Sequence, residues 1–529
     1  MTNNLNIGFF FGAGADASYG LPLGGRFALD IFKQDTSQDK GEFKKLLDGI
    51  NQGSPYACNW LPPQYADKRI HAFGKAQFSS IIESTLESKR SLIIDFFENF
   101  DSHAETCLKN GPVDRDRFDA SFQEKTKEKP GATLYSQLVQ VNTTLNTNTK
   151  LFGTKYFSAL LKFLACDRSN QKLRQYLTAF IQLFIGAHGK NHINELNQQI
   201  FTKVPQNLPI FDDISGVFTL DMTQVGAFAL ELILATPTSS LDDKSTSSDV
   251  LSEFARHLLE ELLITSLDYQ SLIDSYFRYL YNPKDDWAKF TRISIFLFTV
   301  RRYINNFIEK LNKEGLESKT GYYHDLQEAG LYGINIKAIG TSNYNSLITR
   351  ILNESDTDKN DVILQHLNGS LNDFYDPYLN LVKSYDSLEE LSKDPHILVP
   401  FMLTQSGIKP LTSISMSRRY VNLFDSYLES DAIVTVGYRF NGDDGHINGM
   451  IRSLVNEHNK KLVIFHYTHS TNPSSLQQAK VDYCRRIRLE DDSNVHVLPI
   501  NGDRKSGDLD WLNAAKNLLN ESNTSAAAE

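Results

Sequence analysis

The sequence lacks long hydrophobic runs. No apolar stretch approaches the roughly 20 residues that a membrane-spanning helix needs, and the N-terminus carries no basic segment followed by an apolar signal region. These two absences exclude the sequence patterns of an integral membrane protein and of a secreted protein. We therefore expect a cytoplasmic protein without a membrane partner.

Cysteine is scarce, and acidic residues outnumber basic ones. The four cysteines, Cys58, Cys107, Cys166 and Cys484, show no Cys-x-x-Cys spacing, so the sequence indicates neither a zinc site nor a disulfide framework, and we expect no metal. The formal net charge is -10. Because duplex nucleic acid is bound through many cationic contacts to phosphates, we expect no strong nucleic-acid binding.

Apolar residues are plentiful enough to fill more than one core. The chain has 529 residues, of which 41% are hydrophobic and 33 are phenylalanine, and this length exceeds the usual size of a single core. Between residues 36 and 329 apolar residues recur at three- and four-residue spacing, which predicts amphipathic helices. The clearest stripes are Phe290, Ile293, Leu297, Val300, Ile304, Phe307 and Leu311; Leu251, Phe254, Leu258 and Leu262; and Ile82, Leu86, Ile93 and Phe97.

Beyond residue 330 the pattern changes to short β-branched runs that alternate with helical segments. Such runs are typical of buried parallel strands, and they cover residues 336–340, 362–364, 432–436, 462–465 and 495–498. We therefore predict an α/β fold with a Rossmann-like, doubly wound parallel sheet. Residues 1–35 together with 330–520 would form this nucleotide-binding domain, interrupted by a large all-helical insertion at 36–329 that serves assembly, sensing or partner binding.

A glycine-rich turn follows the first apolar strand. Gly12 and Gly14 let the backbone approach a nucleotide diphosphate closely, and the small Ala17 lets the next helix pack against the strand. Amide groups at the helix start would face the anion. An ordinary strand-to-helix bend uses the same residue types and remains the alternative. A dehydrogenase site is disfavoured, because residues 26–33 continue as helix where an acidic strand end is expected.

Polar residues follow three of the later strands, where ligands bind in a doubly wound sheet. Residues 340–346 are suited to hold a ribose or a water, or simply to cap the next helix. His366 and Asn368 project to the same face if the chain stays extended, and His366 acts either as a base or as a satisfied core group. Residues 437–446 are rich in glycine and Asx, and their aspartates either join the site or cap a helix.

Together these motifs resemble the sirtuin-like superfamily, particularly the bacterial sirtuin-like NAD-cleaving proteins of anti-phage defence systems. The shared pattern begins with Gly-Ala-Gly-x-[Ser/Asp]-x-x-x-Gly-[Ile/Leu]-Pro at residues 12–22. It continues with Thr-x-Asn-[Tyr/Ile]-[Asp/Asn] at 341–345, Leu-x-Gly-Ser at 367–370 and Gly-Tyr-x-Phe-Asn at 437–441. The order and spacing of the motifs agree with the family, and the helical region lies between the first two.

The resemblance implies that NAD lies across the strand ends and is cleaved at its nicotinamide–ribose bond. It leads us to expect three catalytic residues, Asn343 beside the nicotinamide ribose together with His366 and Asn368. The residues that it implies for nucleotide binding are Gly12, Ala13, Gly14, Asp16, Pro22, Thr341, Ser342, Asn345, Gly369, Ser370, Gly437, Tyr438 and Asn441.

The chain departs from the family at two positions. The family's histidine before Gly-Ser is replaced by Asn368, and an amide cannot act as a general base; His366 is the first substitute and His446 the second. The aspartate of the Thr-x-Asn-x-Asp segment is replaced by Asn345. A protein deacylase is disfavoured, because the paired cysteines of the deacylase zinc ribbon are absent and Pro22 is followed by Leu-Gly-Gly.

The resemblance thus leads us to expect an NAD glycohydrolase that releases nicotinamide and ADP-ribose. It would be a triggered NAD-depleting effector of anti-phage defence by abortive infection, with NAD as its substrate and a homo-oligomer, a companion defence protein or both as partners. The alternative is a catalytically weak or inactive sensor subunit that binds NAD or ADP-ribose within a multi-protein defence complex.

Overall fold

The computed structural model describes residues 4–134, 150–188, 227–235, 241–242, 244–316, 319–353, 362–402, 413–468 and 472–526. The chain forms two compact units. The first unit comprises Met1–Leu23, Gln34–Ala72 and Ile273–Glu529, and the second comprises Gly24–Lys33 and Phe73–Leu272. These divisions fall at other positions than the expected boundaries at residues 35 and 330, and the roles assigned to the two expected regions stay predictions.

The first unit is built on a parallel sheet of six strands. Its strands are β1 (Leu5–Phe11), β2 (Ile334–Thr341), β3 (Ile363–His366), β7 (Ala432–Val436), β8 (Lys461–Tyr467) and β9 (Val495–Ile500). They lie in the order β3-β2-β1-β7-β8-β9, and every neighbouring pair is parallel. The predicted α/β fold with a parallel sheet is therefore confirmed, and the strand order is the one that doubly wound dinucleotide-binding sheets use.

The central strand β1 is buried on both faces, as its unbroken apolar run indicates. Phe9 and Phe11 pack edge-on against Trp511, with ring centroids 5.7 and 6.4 Å apart. Phe10 points to the opposite face, where its ring lies 4.8 Å from that of Tyr438. Because successive side chains of a strand alternate between faces, the three phenylalanines anchor the layers on both sides of the sheet.

Two small antiparallel sheets complete the strands of the first unit. Their strands are β4 (Asp373–Asp376), β5 (Leu381–Ser384), β6 (Val399–Pro400), β10 (Lys505–Ser506) and β11 (Leu509–Asp510). One sheet has the order β5-β4-β6 and the other is the pair β10-β11, and the sequence pattern predicted neither.

Helices are numbered in chain order over the described residues of both units. The first unit contains α1 (Ala13–Asp16), α3 (Ser37–Gly49), α4 (Pro55–Trp60), α14 (Trp287–Lys313), α15 (Tyr322–Asp325), α16 (Leu347–Asn353), α17 (Leu388–Leu391), α18 (Ile414–Leu428), α19 (Gly445–Asn456), α20 (Pro473–Ile487) and α21 (Trp511–Ala526). Short 3-10 helices of this unit are Ala17–Tyr19, Tyr65–Asp67, Arg278–Tyr281, Leu326–Tyr332 and Gly442–Asp444.

The described residues of the second unit form helices and no strand. They are α2 (Gly24–Phe32), α5 (Lys75–Ser88), α6 (Arg90–Glu98), α7 (Phe100–Asn110), α8 (Arg115–Thr126), a 3-10 turn (Lys150–Gly153), α9 (Lys155–Cys166), α10 (Gln171–His188), α11 (Ala227–Ala235) and α12 (Ser247–Ser266). Helix α13 (Tyr269–Phe277) spans the division between the units.

A buried ion cluster lies inside the second unit. Arg256 of α12 contacts Glu253 and Glu260 at 2.7 Å, and its side chain is 2% exposed. Glu260 also pairs with Arg26 at 2.8 Å and Lys33 at 2.5 Å. The three cations lower the pKa of Glu260 to about 2 although burial opposes the shift. This cluster fixes α2, the helix that follows the glycine-rich turn in the chain, within the helical unit.

The structure agrees with two of the three predicted helical stripes and divides the third between two helices. Those at residues 251–262 and 290–311 lie within α12 and α14 as predicted. The stripe at residues 82–97 was predicted as one helix, but the structure ends α5 at Ser88 and begins α6 at Arg90. No helix in the described part of the chain is both long and apolar enough to cross a membrane.

Candidate active site at the strand ends

The carboxyl ends of four neighbouring strands meet at one edge of the large sheet. The strand order reverses its direction of growth at β1, which lies between β2 and β7. In doubly wound sheets ligands bind at such a switch point, beyond the carboxyl ends of the strands. All three polar segments singled out in the sequence, which follow β2, β3 and β7, reach this edge beside the glycine-rich turn.

The glycine-rich turn packs directly against the turn that follows β7. The amide of Gly12 donates to the carbonyl of Val436, and that of Gly14 donates to the carbonyl of Gly437, both at 2.9 Å. A Cβ on Gly437, whose φ is +68°, would lie 2.2 Å from the amide nitrogen of Ala15. The glycines are therefore required where two turns touch, whether or not a ligand is bound.

The helix after this turn differs from the expected one. Helix α1 has four residues and continues into a 3-10 turn, so it contributes little of the dipole that favours an anion at a longer helix. The expectation that Ala17 lets the helix pack against the strand is wrong, because Ala17 is exposed. Ala13 is exposed at the sheet edge and Pro22 is half-buried. Contact of these residues with a nucleotide stays a prediction.

Asp16 is a buried carboxylate surrounded by neutral hydrogen-bond donors. Tyr323 donates its hydroxyl to Oδ1 and Asn345 donates its amide to Oδ2, each at 2.5 Å. The side chain is 4% exposed. Burial raises the pKa of Asp16 to about 7, although the hydrogen bonds from Tyr323, Asn345 and Asn343 lower it. Neutral donors alone thus support this acid, so its charge is costly.

Asn345 also caps the helix that follows it. Its Oδ1 accepts a hydrogen bond from the amide of Leu347, the first residue of α16, at 3.1 Å. The ordinary capping role weighed for this segment is therefore present, and the same side chain reaches Asp16 through its amide group. One residue links the helix start after β2 to the turn after β1.

Asn343 is oriented by its surroundings on three sides. Its side-chain amide donates to the carbonyl of Gly12 at 3.0 Å and to the hydroxyl oxygen of Tyr323 at 3.2 Å. Its backbone amide donates to Oγ1 of Thr341 at 3.0 Å, and that hydroxyl donates to the carbonyl of Phe11. Thr341 therefore ties β1 to the Asn343 turn, and the half-buried Ser342 adds a backbone bond to the same Phe11 carbonyl.

His366 lies directly beside Asn343. Its Nδ1 is 2.8 Å from the backbone carbonyl of Asn343, and because a carbonyl only accepts, Nδ1 carries the proton and Nε2 is left as an acceptor. Burial lowers the pKa of His366 below its usual value of 6.5, against the opposite effect of the hydrogen bond to Asn343. The imidazole is thus neutral at pH 7 with a fixed tautomer.

Asn343 and His366 each keep one polar atom without a hydrogen-bond partner in the described residues. These atoms are Oδ1 of Asn343 and Nε2 of His366, and neither is among the fully buried unpartnered side-chain atoms, which belong to Asp119, Gln182 and Arg292. Asn343 is 6% exposed and His366 is half-buried. Both atoms can therefore accept a hydrogen bond from a bound group.

Asn368 does not share a strand face with His366. Strand β3 ends at His366, so the extended geometry expected through Asn368 is wrong. Asn368 instead lies in a turn. Its side-chain nitrogen Nδ2 donates to Asp444, and its side-chain oxygen Oδ1 lies 3.3 Å from Nε2 of His446. The turn requires glycine at position 369. Its φ is +91°, and a Cβ there would collide with the carbonyl oxygen of Phe401.

An ion pair supports the segment after β3. Arg419 of α18 donates to both carboxylate oxygens of Asp373, at 2.6 and 2.8 Å, and also to the carbonyl of His366. Ser370 donates its hydroxyl to the same Asp373. Ser370 is thus already engaged by the protein, and Arg419 fixes the backbone that carries the histidine.

Of the two side chains expected at the nucleotide from the loop after β7, one is buried and the other is exposed. Tyr438 is 7% exposed, and its hydroxyl donates to Asn448 of α19 at 3.0 Å. The amide of Asn448 in turn donates to the backbone carbonyl of Asn441. Tyr438 therefore serves the core of the first unit, while the side chain of Asn441 is exposed.

Sequence reasoning missed Tyr323, Asp373 and Arg419. Tyr323 lies 307 residues from Asp16 in the chain and belongs to a four-residue helix without a motif of its own. Its one signal is the pair of adjacent tyrosines at 322 and 323, which no pattern connects with the glycine-rich turn. Arg419 lies in an ordinary amphipathic helix.

Comparison of the chain with protein-family models, with curated proteins and with solved structures gives no match. In the described residues no group of three or more histidine, cysteine, aspartate or glutamate side chains is placed to hold a metal ion. What the site does must therefore be argued from its own geometry.

Proposed function

We propose that the protein is an NAD glycohydrolase of the sirtuin-like superfamily. The observation that carries the proposal is the pairing of Asn343 and His366 beside the glycine-rich turn. The two residues come from different motifs, yet they contact each other at the switch point of a doubly wound sheet and keep two acceptor atoms without a partner in the described residues. The order and spacing of the four sequence motifs support the same assignment.

The reaction needs little covalent help from the protein. Water adds to the ribose carbon C1′ of NAD while the bond from C1′ to the nicotinamide nitrogen breaks, and the products are nicotinamide, ADP-ribose and one proton. His366 Nε2 would accept that proton from the water or from a ribose hydroxyl, since a neutral imidazole is the suitable base near pH 7. Asn343 Oδ1 would orient the water or the ribose hydroxyls.

The biological setting rests on the resemblance to anti-phage NAD-cleaving proteins. We propose a cytoplasmic effector that depletes NAD when triggered, and that works as a homo-oligomer or with a companion defence protein. The helical unit is suited to such a role, because it is a separate compact unit with its own core. No step of the proposed reaction requires a metal.

A second candidate function is favoured by the position of Asn368. Where the family has a histidine, this chain has an amide bound to Asp444 and close to His446, and the amides of Gly12 and Gly14 already donate to protein carbonyls. A protein built in this way is suited to bind NAD or ADP-ribose as a sensor subunit without cleaving it.

Calorimetry and product analysis on the same samples separate the two functions. Purified full-length protein is titrated with NAD and with ADP-ribose and then assayed for nicotinamide release, alone and after addition of extract from phage-infected cells. Binding with nicotinamide release supports the glycohydrolase. Binding without release under every condition supports the sensor, and the absence of binding contradicts both.

Replacing His366 tests the proposed base. His366→Ala should lower the rate of nicotinamide release by about 100-fold or more while NAD binding is retained. His496→Ala is the matched control, because His496 is also half-buried and burial also lowers its pKa, yet it stands near the start of β9. Equal activity of the two variants would contradict the role of His366.

A further inference from the structure

A chain of hydrogen bonds runs from the buried Asp16 to the Asn343 side chain through Tyr323. The Tyr323 hydroxyl has a single proton, and it donates this proton to the Asp16 carboxylate, which can only accept. The Tyr323 oxygen is therefore left to accept, and it accepts from the Asn343 amide. The second hydrogen of that amide goes to the carbonyl of Gly12.

These hydrogen bonds permit one orientation of the Asn343 side-chain amide. If the amide turned over, its oxygen would face the carbonyl oxygen of Gly12, and two acceptors would stand in contact. The turned oxygen could accept from Tyr323 only if Tyr323 withdrew its proton from Asp16. The carboxylate would then lose both Tyr323 and the Asn343 amide as donors, while Asn345 still donates to it.

The groups around Asp16 and Tyr323 are accounted for on every side. The backbone amide of Tyr323 donates to the hydroxyl oxygen of Tyr19, and that hydroxyl contacts Nδ1 of His324 at 3.2 Å. The rings of Tyr19 and Tyr323 are stacked with centroids 5.2 Å apart. The ion pair of Asp325 with Arg504 binds neither Asp16 nor Tyr323 in the described residues. The ionisation of Asp16 therefore acts on Asn343 through Tyr323 and through the interaction of the Asn343 amide with the carboxylate itself.

We propose that Tyr323 and Asp16 are positioning residues, which hold the Asn343 side chain so that its carbonyl oxygen, and not its amide group, faces the ligand. The presented atom selects a hydrogen-bond donor, which is a water or a sugar hydroxyl. This inference rests on the proposed function, because in that reaction the donor is the attacking water or a hydroxyl of the nicotinamide ribose. Neither positioning residue needs to touch the substrate.

The ionisation of Asp16 becomes a control on activity under this arrangement. When Asp16 takes up a proton it can donate to Tyr323, whose own proton is then free to turn toward Asn343. The orientation of the amide is no longer fixed in that state. Activity should therefore fall as the pH drops through about 7, the pKa to which burial raises Asp16, separately from the loss caused by protonation of His366 at lower pH.

Removal of one hydroxyl tests the inference. In Tyr323→Phe we expect the kcat of nicotinamide release to fall at least about tenfold with KM within about threefold of the wild-type value, and the fall of activity near pH 7 to disappear. The control is Tyr322→Phe, because Tyr322 is also buried and packs on Trp511 but its hydroxyl has no partner in the described residues. Wild-type kcat and pH profile in Tyr323→Phe, or a change confined to KM, would overturn the inference while the proposed function stands.

A measurement without NAD keeps the inference testable if the wild type proves inactive, in which case the proposed function has failed. The free-energy difference of unfolding between the wild type and Asp16→Asn is followed against pH, and the same difference is measured in the Tyr323→Phe background. Because Tyr323 lowers the pKa of Asp16, its removal should move the midpoint of this difference to higher pH. An unmoved midpoint would show that Tyr323 does not hold the carboxylate and would overturn the inference.

Discussion

Replacing Asp16 with asparagine probes a buried carboxyl group whose pKa is strongly raised. Burial raises the pKa of Asp16 from 3.8 to about 7 in the folded protein, whereas the unfolded chain ionises near the lower value. Between about pH 4 and pH 7 the folded state therefore holds a proton that the unfolded state has lost. The free energy of unfolding must fall as the pH rises through this window, because the folded state binds more protons there.

The size of the change in the free energy of unfolding follows from the shift in the pKa of Asp16. One pKa unit corresponds to about 1.36 kcal/mol, so about three units correspond to about 4 kcal/mol. Asparagine stays neutral, and it can accept from Asn345 and donate to the Tyr323 oxygen as the protonated acid does. We expect Asp16→Asn to match the wild type near pH 4 and to exceed its free energy of unfolding by about 4 kcal/mol near pH 8.

Urea unfolding followed by tryptophan fluorescence measures this difference. All three tryptophans, Trp60, Trp287 and Trp511, belong to the first unit, so the signal reports the unit that contains the site. Asp491→Asn is the control, because Asp491 is exposed and hydrogen bonds from Ser493 lower its pKa. A difference between wild type and Asp16→Asn that does not grow with pH would refute the reasoning.

Two further changes test the framework of the site. Gly437→Ala should lower the free energy of unfolding by at least about 2 kcal/mol in thermal melts, because the added Cβ would collide with the Ala15 amide nitrogen. The control is Gly445→Ala, where no heavy atom lies within 4 Å of the added carbon, and it should melt like the wild type. Asp373→Asn should lower the free energy of unfolding in urea by about 1–3 kcal/mol at neutral pH, because it removes the charged partner of the half-buried Arg419, which keeps its bond to the His366 carbonyl. Although burial opposes the shift, Arg419 lowers the pKa of Asp373, so this cost should shrink as the pH falls below about 4, and a cost independent of pH would contradict the pairing.

The large sheet could be predicted because buried parallel strands leave a direct mark on the sequence. A strand covered on both faces is an unbroken apolar run, and the five later runs begin or end within a few residues of β2, β3, β7, β8 and β9. The small antiparallel sheet that contains Asp373 left no such mark, since β4, β5 and β6 have two to four residues each. Strands this short carry too few residues for alternation to be read.

The site could be predicted only where one segment supplies it. The turn at Gly12 and the polar segment around Asn343 are each recognisable from their own residues, and the resemblance to a family indicated that they belong to one site. The hydrogen bonds of Asp16 with Tyr323 and of Asn368 with Asp444 connect residues 307 and 76 positions apart. No periodicity in the chain encodes such pairs, because they form only when the sheet brings the strand ends together.

The most direct test of the proposed role of Asn343 compares two asparagines at opposite ends of β2. Asn343 stands just beyond the carboxyl end of β2, and Asn335 stands near its opposite end, where it is exposed and bonds Asn6. Nicotinamide release from NAD is measured for the wild type, Asn343→Ala and Asn335→Ala under the triggering condition. We expect Asn343→Ala to lose activity by at least about 100-fold and Asn335→Ala to retain it. Full activity of Asn343→Ala, or no release by the wild type under any condition, would contradict the proposed role.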